Sequence, residues 1–354
     1  MKNKKQRIVI AMSGGIDSSV AAALLKRAGF DVIGVYMKFW SSGGGVKGNR
    51  CCTPESEKRA RQAAKELGIP FYVFNFEKEF KKRIVDYFLK EEKSGRTPNP
   101  CVICNKEIKF GLLLKKALKL GADFVATGHY CRKKKTKTGF GLLRAVDKNK
   151  DQSYFLWGLN QKQLKHILFP IGSREKTEVR KLAKKFNLSA VQARESQEIC
   201  FVNKEVNDFL KKHLKEKTGN IVDLKGKILG EHQGLWFYTI GQRRGIRIAS
   251  GKPYYVFKKD IKKNELVVTQ NKKDLLQKEL IVKNVNWISG VKPKLPDGVR
   301  IKIRYRSPLV LGVVRQKDPK FCIVKFKNSQ RAVTPGQSAV FYKNKELLGG
   351  GIIK

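Results

Sequence analysis

The sequence predicts an α/β protein with an N-terminal domain on a parallel sheet, a small central domain and a C-terminal β-barrel. Three observations carry that reading. Short β-rich runs alternate with helical patterns as far as about residue 130. A glycine-serine loop lies between the first strand and the first helix. After about residue 205 the pattern changes to short alternating segments punctuated by turn residues. A chain of 354 residues is long enough for several cores. The expected division is 1–206, 207–275 and 276–354.

In the first domain, residues 7–12, 31–39, 71–76 and 122–127 read as buried strands, and 18–28, 54–67, 80–93 and 105–120 have helical spacing. Gly29, Gly68 and Gly121 each follow a helix, where a left-handed cap favours glycine. Strand-helix-strand order implies parallel strands covered on both faces. Residues 41–50, SSGGGVKGNR, read as a loop and 133–139, KKKTKTG, as a basic hairpin tip; either is placed to close over a ligand. Further on, the Gly-rich aromatic stretch 230–245 precedes alternating segments at 266–269 and 299–306, which read as antiparallel strands. Turn signals continue to Gly349-Gly350-Gly351, as in a small barrel.

Lys and Arg number 76 against 30 acidic residues, a formal charge of +46 spread along the chain. A polyanion such as nucleic acid is the natural partner, with a merely solvated lysine-rich surface as the plainer explanation. The apolar run 8–12 is too short for a secretory signal, and nothing approaches the ~20 residues of a membrane span. A cytoplasmic protein with no membrane partner is expected. Seven cysteines are odd in number, which favours reduced, reactive or metal-bound thiols over a disulfide scaffold.

The sharpest motif is Ser13-Gly14-Gly15-Ile16-Asp17-Ser18-Ser19, after a strand and before a helix. Two glycines let successive N–H groups turn toward one anion, the helix adds its positive end, and three serines offer hydroxyls. Asp17 would repel a phosphate and is expected to cap the helix or help hold Mg²⁺. No Gly-Lys-Ser/Thr ending follows, which excludes the usual kinase or GTPase loop. The loop resembles that of the PP-loop ATP pyrophosphatases (adenine nucleotide alpha hydrolase-like), which implies cleavage of ATP to AMP and pyrophosphate with adenylation of a substrate oxygen.

Cys101 and Cys104 stand in a C-x-x-C spacing in RTPNPCVICNKEIKF, after a stiff Pro-Asn-Pro and directly before an apparent helix whose N-terminus would stabilise a thiolate. Cys200 lies in the loop-like string SQEICF. A zinc site using Cys51, Cys52, Cys101 and Cys104, or inert buried thiols, are the competing readings. Cys131 and Cys322 fall in strand-like segments and are expected in the core.

With the loop, the strings PNPCVICNKEIKF, ESQEICFV and KDQSYFLW closely resemble the bacterial tRNA-specific 2-thiouridylase family. ATGHY at 126–130, YTIGQRRG at 238–245, KIRYRS at 302–307 and TPGQSAVFY at 334–342 extend the likeness from about residue 7 to 351. The resemblance implies thiolation of the wobble uridine of Lys, Glu and Gln tRNAs, with Cys104 as nucleophile and Cys200 as the persulfide carrier. It implies ATP contacts at Ala11, Met12, Ser13, Gly14, Gly15, Ile16, Asp17, Ser18, Met37 and Gly128, and target-base contacts at Asn99, Pro100 and Cys101. It implies tRNA contacts at His129, Lys150, Asp151, Gln152, Arg304, Tyr305 and Gln337. ATP, Mg²⁺, tRNA and a sulfur-donating relay protein or desulfurase are the implied cofactors and partners. Many family members carry aspartate where this chain has Cys101, so a [4Fe-4S] cluster on Cys101, Cys104 and Cys200 is a further expectation. Two other classes stay open: a PP-loop amidotransferase-type ligase and a non-enzymatic RNA-binding protein.

Overall fold

The structure is a computed structural model, described here for residues 5–41, 52–192, 199–202, 205–295, 298–318 and 321–354. Most of the loop expected at 41–50, together with Cys51 and residues 195–198 of the second cysteine motif, lies outside the described residues.

The first four strands are β1 (Arg7–Ala11), β2 (Asp31–Lys38), β3 (Phe71–Asn75) and β4 (Phe124–Thr127). A hairpin of β5 (Cys131–Thr136) and β6 (Gly139–Arg144) follows, then the short β7 (Ile167–Leu168), which sequence periodicity did not reveal. The parallel sheet runs β3-β2-β1-β4-β7, with Val9 of central β1 opposite Ile33 and Val125. Ile8 to Ala11 are all buried, as a strand covered on both faces requires. Helices α1 (Ile16–Arg27) and α2 (Pro54–Glu66) flank it. In α1 the run Val20-Ala21-Ala22-Ala23 is buried, and its small side chains allow close approach to the sheet. Thr53 starts α2 with a reciprocal capping box to Ser56. Helical runs at 77–93 and 100–119 each contain a wide π-type segment, Lys81–Val85 and Cys104–Leu112.

The central domain holds the helix Val206–His213 and strands β8 (Gly219–Val222), β9 (Ile228–His232), β10 (Tyr255–Asp260) and β11 (Glu265–Thr269), ordered β10-β11-β8-β9. The C-terminal barrel consists of β12 (Leu276–Trp287), β13 (Val299–Lys302), β14 (Val310–Asp318), β15 (Phe321–Arg331), β16 (Ser338–Lys343) and β17 (Glu346–Ile353). Their order is β12-β15-β14-β13-β16-β17, and antiparallel pairing of β12 with β17 closes the ring. The α/β class with a C-terminal barrel is thus as the sequence predicts.

Two expectations need correction. The basic hairpin does not hang free as a lid: β6 pairs with β17, Leu142 opposite Leu347, and Lys134 meets Glu346 at 2.9 Å. The strand expected over 299–306 ends at Lys302, where Arg304 and Ser307 close a turn through Arg304 N–H to Ser307 Oγ at 3.2 Å. The segment KDQSYFLW bolts the two domains together. Trp157 Nε1 donates to Ser338 Oγ at 3.0 Å, Tyr154 Oη donates to the Ser338 carbonyl at 3.0 Å, and Asn286 Nδ2 donates to the Trp157 carbonyl at 2.6 Å. Cys131 and Cys322 are buried strand residues as expected, and complete burial pushes the Cys131 thiol well up.

Candidate active site at the domain junction

Strand order reverses between β1 and β4, and in open α/β sheets ligands bind at the carboxyl ends of strands at such a switch point. The glycine-serine loop leaves β1 there, and Gly128 leaves β4 beside it. A Cβ on Gly128 would lie 2.7 Å from Asp17 C and Ser18 N, so only glycine lets β4 end against the start of α1. Gly14 has φ +75°, and a Cβ on it would sit 2.2 Å from the Ser56 carbonyl oxygen. The loop is held by its own serines: Ser13 N–H donates to Ser18 Oγ at 3.2 Å, and Ser18 and Ser19 hydroxyls donate to the Gly15 carbonyl, both at 3.1 Å. Ala11, Met12, Ile16 and Ser18 are buried supports of this loop, and Met37 is half-buried at the end of β2.

The helix begins at Ile16, earlier than expected, with Gly15 at the cap position and no side-chain cap. Asp17 therefore does not cap α1. Its Oδ1 accepts from Tyr130 Oη at 2.8 Å and from Lys176 Nζ at 2.6 Å. The Lys176 side chain is only 8% exposed, so this is a sheltered ion pair. Arg59 Nε donates to the Gly14 carbonyl at 3.2 Å, bringing a second cation to the loop. Sequence reasoning missed Lys176 and Arg59, which stand in no motif, and passed over Tyr130 although it closes ATGHY.

On the other side of the sheet, Pro100 opens the helical run that carries both C-x-x-C cysteines, so Cys101 and Cys104 lie within its first turns instead of before it. Cys104 is 6% exposed and belongs to the core cluster shared by the first and central domains. Cys200, partly buried, packs against the same cluster. Its neighbour Phe201 anchors it, with ring centroids 5.5 Å from Phe88, 5.9 Å from Phe80 and 5.4 Å from Phe209. Two thiols far apart in sequence thus pack against one hydrophobic cluster that spans the first and central domains. Among the described residues no three His, Cys, Asp or Glu side chains converge to hold a metal ion. Cys101, Cys104 and Cys200 accordingly do not form the cradle expected for a cluster, and no step below is routed through iron. The zinc reading involves Cys51, outside the described residues.

The barrel reaches back to the first domain. Gly336 meets Thr97 backbone so closely that a Cβ would lie 2.9 Å from its N, C and O, and Thr97 N–H donates to the Pro335 carbonyl at 2.8 Å. Gln337 Nε2 donates to the Thr97 carbonyl at 2.9 Å, and Arg304 donates to Ala332 O and, at 2.8 Å, to Thr334 Oγ1. Gln337 thus braces the segment carrying Asn99 and Pro100, while Arg304 braces the 332–334 turn of the barrel; both were expected as tRNA contacts. Asp151 is likewise internal: 4% exposed, it accepts from Arg144 Nε at 2.8 Å and from Ala145 and Ser153 N–H. Gln152 pairs with Tyr130 backbone at 3.0 Å, while Lys150 is partly exposed on the same loop. Tyr305 packs on Phe155 at 4.5 Å, and burial, then the nearby Asp151 charge, push its phenol up. His129 lies between Phe110 and Phe169, with Nδ1 2.8 Å from Thr127 Oγ1. Burial, then the nearby Lys109 charge, hold its imidazolium well below the usual range, so it is neutral near pH 7.

A cavity of about 470 Å³ opens where the three domains meet, walled by Phe88, Glu92, Thr97 and Pro98 of the first, Trp236, Phe237 and Arg244 of the central and Gln337 of the barrel, with Ile199 between. Burial pushes the Glu92 carboxyl up to about 8, moderated by Lys259.

A phosphate loop at the switch point, thiols at the domain junction and an appended barrel define a nucleotide-dependent enzyme architecture of the HUP class. Residues 6–204 match the model of the tRNA methyl transferase HUP domain, 207–270 that of the tRNA methyl transferase PRC-barrel domain and 277–353 that of the aminomethyltransferase beta-barrel domain. Among curated relatives, tRNA-specific 2-thiouridylase MnmA 2 of Thermoanaerobacter sp. (strain X514) is 45% identical, covering 98% of this chain and 98% of the relative. The tRNA-specific 2-thiouridylases MnmA of Clostridioides difficile (strain 630) and Geotalea uraniireducens (strain Rf4) are 46% and 47% identical over 99% of this chain, and 98% and 96% of their own lengths. The chain belongs to the tRNA-specific 2-thiouridylase family.

Proposed function

We propose that this protein is an ATP-dependent tRNA sulfurtransferase that replaces the 2-oxygen of the wobble uridine of Lys, Glu and Gln tRNAs with sulfur. The observation that carries the mechanism is the gathering of Cys104 and Cys200 against one core cluster, on the sheet that presents the phosphate loop at its switch point.

The loop N–H groups and serine hydroxyls hold the ATP phosphates, Arg59 and Lys176 lend positive charge, and Gly128 keeps β4 close against the start of α1, where the loop ends. Mg²⁺ bound with ATP would shield phosphate charge, and Asp17 is the carboxylate placed to help hold it. The uracil O2 attacks the α-phosphate, releasing pyrophosphate and making the 2-oxygen a leaving group as AMP. Cys200, loaded as a persulfide by a sulfur-donating relay protein or desulfurase, directs its terminal sulfur at C2, and AMP departs. The Cys104 thiolate then attacks Cys200 Sγ. The S–S bond to the transferred sulfur breaks with its electron pair forming the C2 thiocarbonyl, and a Cys104–Cys200 disulfide remains for an external thiol reductant. Asn99, Pro100 and Cys101 border the target base, and Lys150 and Tyr305 face the RNA. Gln152, Arg304 and Gln337, only partly buried, contact the tRNA as well as bracing their segments, and buried Asp151 acts through the loop it holds. The three-part division at 1–206, 207–275 and 276–354 is the corresponding domain assignment.

The test is incubation with unmodified tRNA, ATP, Mg²⁺ and a persulfide source, followed by nucleoside mass spectrometry. Thiolated uridine and AMP should appear with wild type; Cys104→Ser and Cys200→Ser should give none. A double Cys→Ser variant that still consumes ATP to modify an amide acceptor would instead favour the amidotransferase-type ligase.

A further inference from the structure

We propose that the cavity at the three-domain junction is a nucleobase pocket for an unpaired nucleotide flanking the thiolated uridine, distinct from the position of the reacting base. This rests on the reading of tRNA as substrate and adds where a second base is held.

The occupant follows from the walls. Trp236, partly exposed, supplies aromatic surface, which stacks on any base, backed by the buried rings of Phe88 and Phe237. Arg244 of the cavity wall is exposed and, with exposed Arg243 beside it, supplies the positive charge a phosphodiester needs. Two polar atoms of lining residues, Thr97 Oγ1 and Trp236 Nε1, are buried without a hydrogen-bond partner. Such groups are costly in a native fold and point to a ligand that completes them. Glu92, 5% exposed with its proton held tightly by burial, offers a third hydrogen-bonding group that is neutral near pH 7. A volume of about 470 Å³ suits a planar heterocycle. Ile199 lines the cavity, but Cys101, Cys104 and Cys200 do not. A base seated there is therefore adjacent to the sulfur chemistry without being its object, and seating it would help hold the neighbouring uridine out of its stack.

Synthetic anticodon-arm hairpins carrying an abasic nucleotide at each loop position in turn provide the test, with affinity and thiolation measured separately. Trp236→Ala should weaken binding of the intact hairpin about 10–100-fold, the worth of one stacked base. One flanking abasic position should weaken wild type by a similar factor, and the two losses should fail to add. Thr97→Val should raise the Tm of the free protein while weakening RNA binding, a combination that a purely structural threonine would not give. Should Trp236→Ala compromise folding, 2-aminopurine at the identified position should be quenched on binding wild type. The proposal is overturned if losses add at every flanking position, if non-additivity occurs only at the target uridine, or if Trp236→Ala slows sulfur loading but leaves RNA affinity unchanged. Absence of thiolation by wild type on the intact hairpin would instead sink the proposed activity, which affinity reports independently.

Discussion

Asp17 sets the problem at the residue scale, since a carboxylate in a phosphate loop repels the ligand that the loop is built to hold. Lys176 and Tyr130 answer it through Oδ1, the former from a nearly buried position. Lys176→Met should therefore leave an unpaired carboxylate and raise KM for ATP at least about tenfold, and adding Asp17→Asn should restore part of the affinity; nucleotide titration of both variants checks this. Gly128→Ala forces a methyl group against the first turn of α1 and should cost about 1–3 kcal/mol in stability or the equivalent in ATP affinity, read by melting with and without nucleotide. Gly14, Gly15 and the serines were legible from the sequence because their chemistry is local. Lys176 and Arg59 were not, because each is brought to the loop from a distant helix by packing.

Among elements, the helical run 100–119 and the 152–157 segment matter most. The first turns of the former display Cys101 and Cys104, with Pro100 fixing where the run begins. The latter ties the first domain to the barrel through Trp157 and Tyr154, both at most 5% exposed. Trp157→Ala should destabilise by about 3–5 kcal/mol and weaken the brace that positions the RTPNP segment, so thiolation should fall along with Tm in calorimetry and activity assays. The sequence signalled QSYFLW as a motif, yet its periodicity said nothing of the surface it packs on. The hairpin of β5 and β6 shows the same limit: its turn was legible, but pairing with β17 depends on a strand some two hundred residues later.

For the whole molecule, charge and the domain junction govern behaviour. A formal +46 predicts tRNA affinity that falls roughly 10³-fold between about 50 and 200 mM salt if about six phosphates are neutralised, measurable by filter binding. Glu92, buried between the first and central domains near Lys259, makes that junction pH-sensitive. Its folded pKa is raised from 4.5 to about 8, so its stabilising contribution is complete below the unfolded value and is lost as pH rises through about 8. Glu92→Gln should remove that decline, giving a flatter Tm between about pH 5 and 8 than wild type in a melting series.

The sequence by itself determined the nucleotide loop, the parallel sheet behind it, the two cysteine motifs and the family, because glycine conformations, burial periodicity and motif spacing are written in neighbouring residues. Only the tertiary structure decided which segments Arg304, Gln337 and Asp151 bond to, that Lys176 neutralises Asp17, and that three domains enclose a cavity beside Ile199. Those outcomes depend on which distant groups meet and lose their water together, and composition and spacing do not specify that.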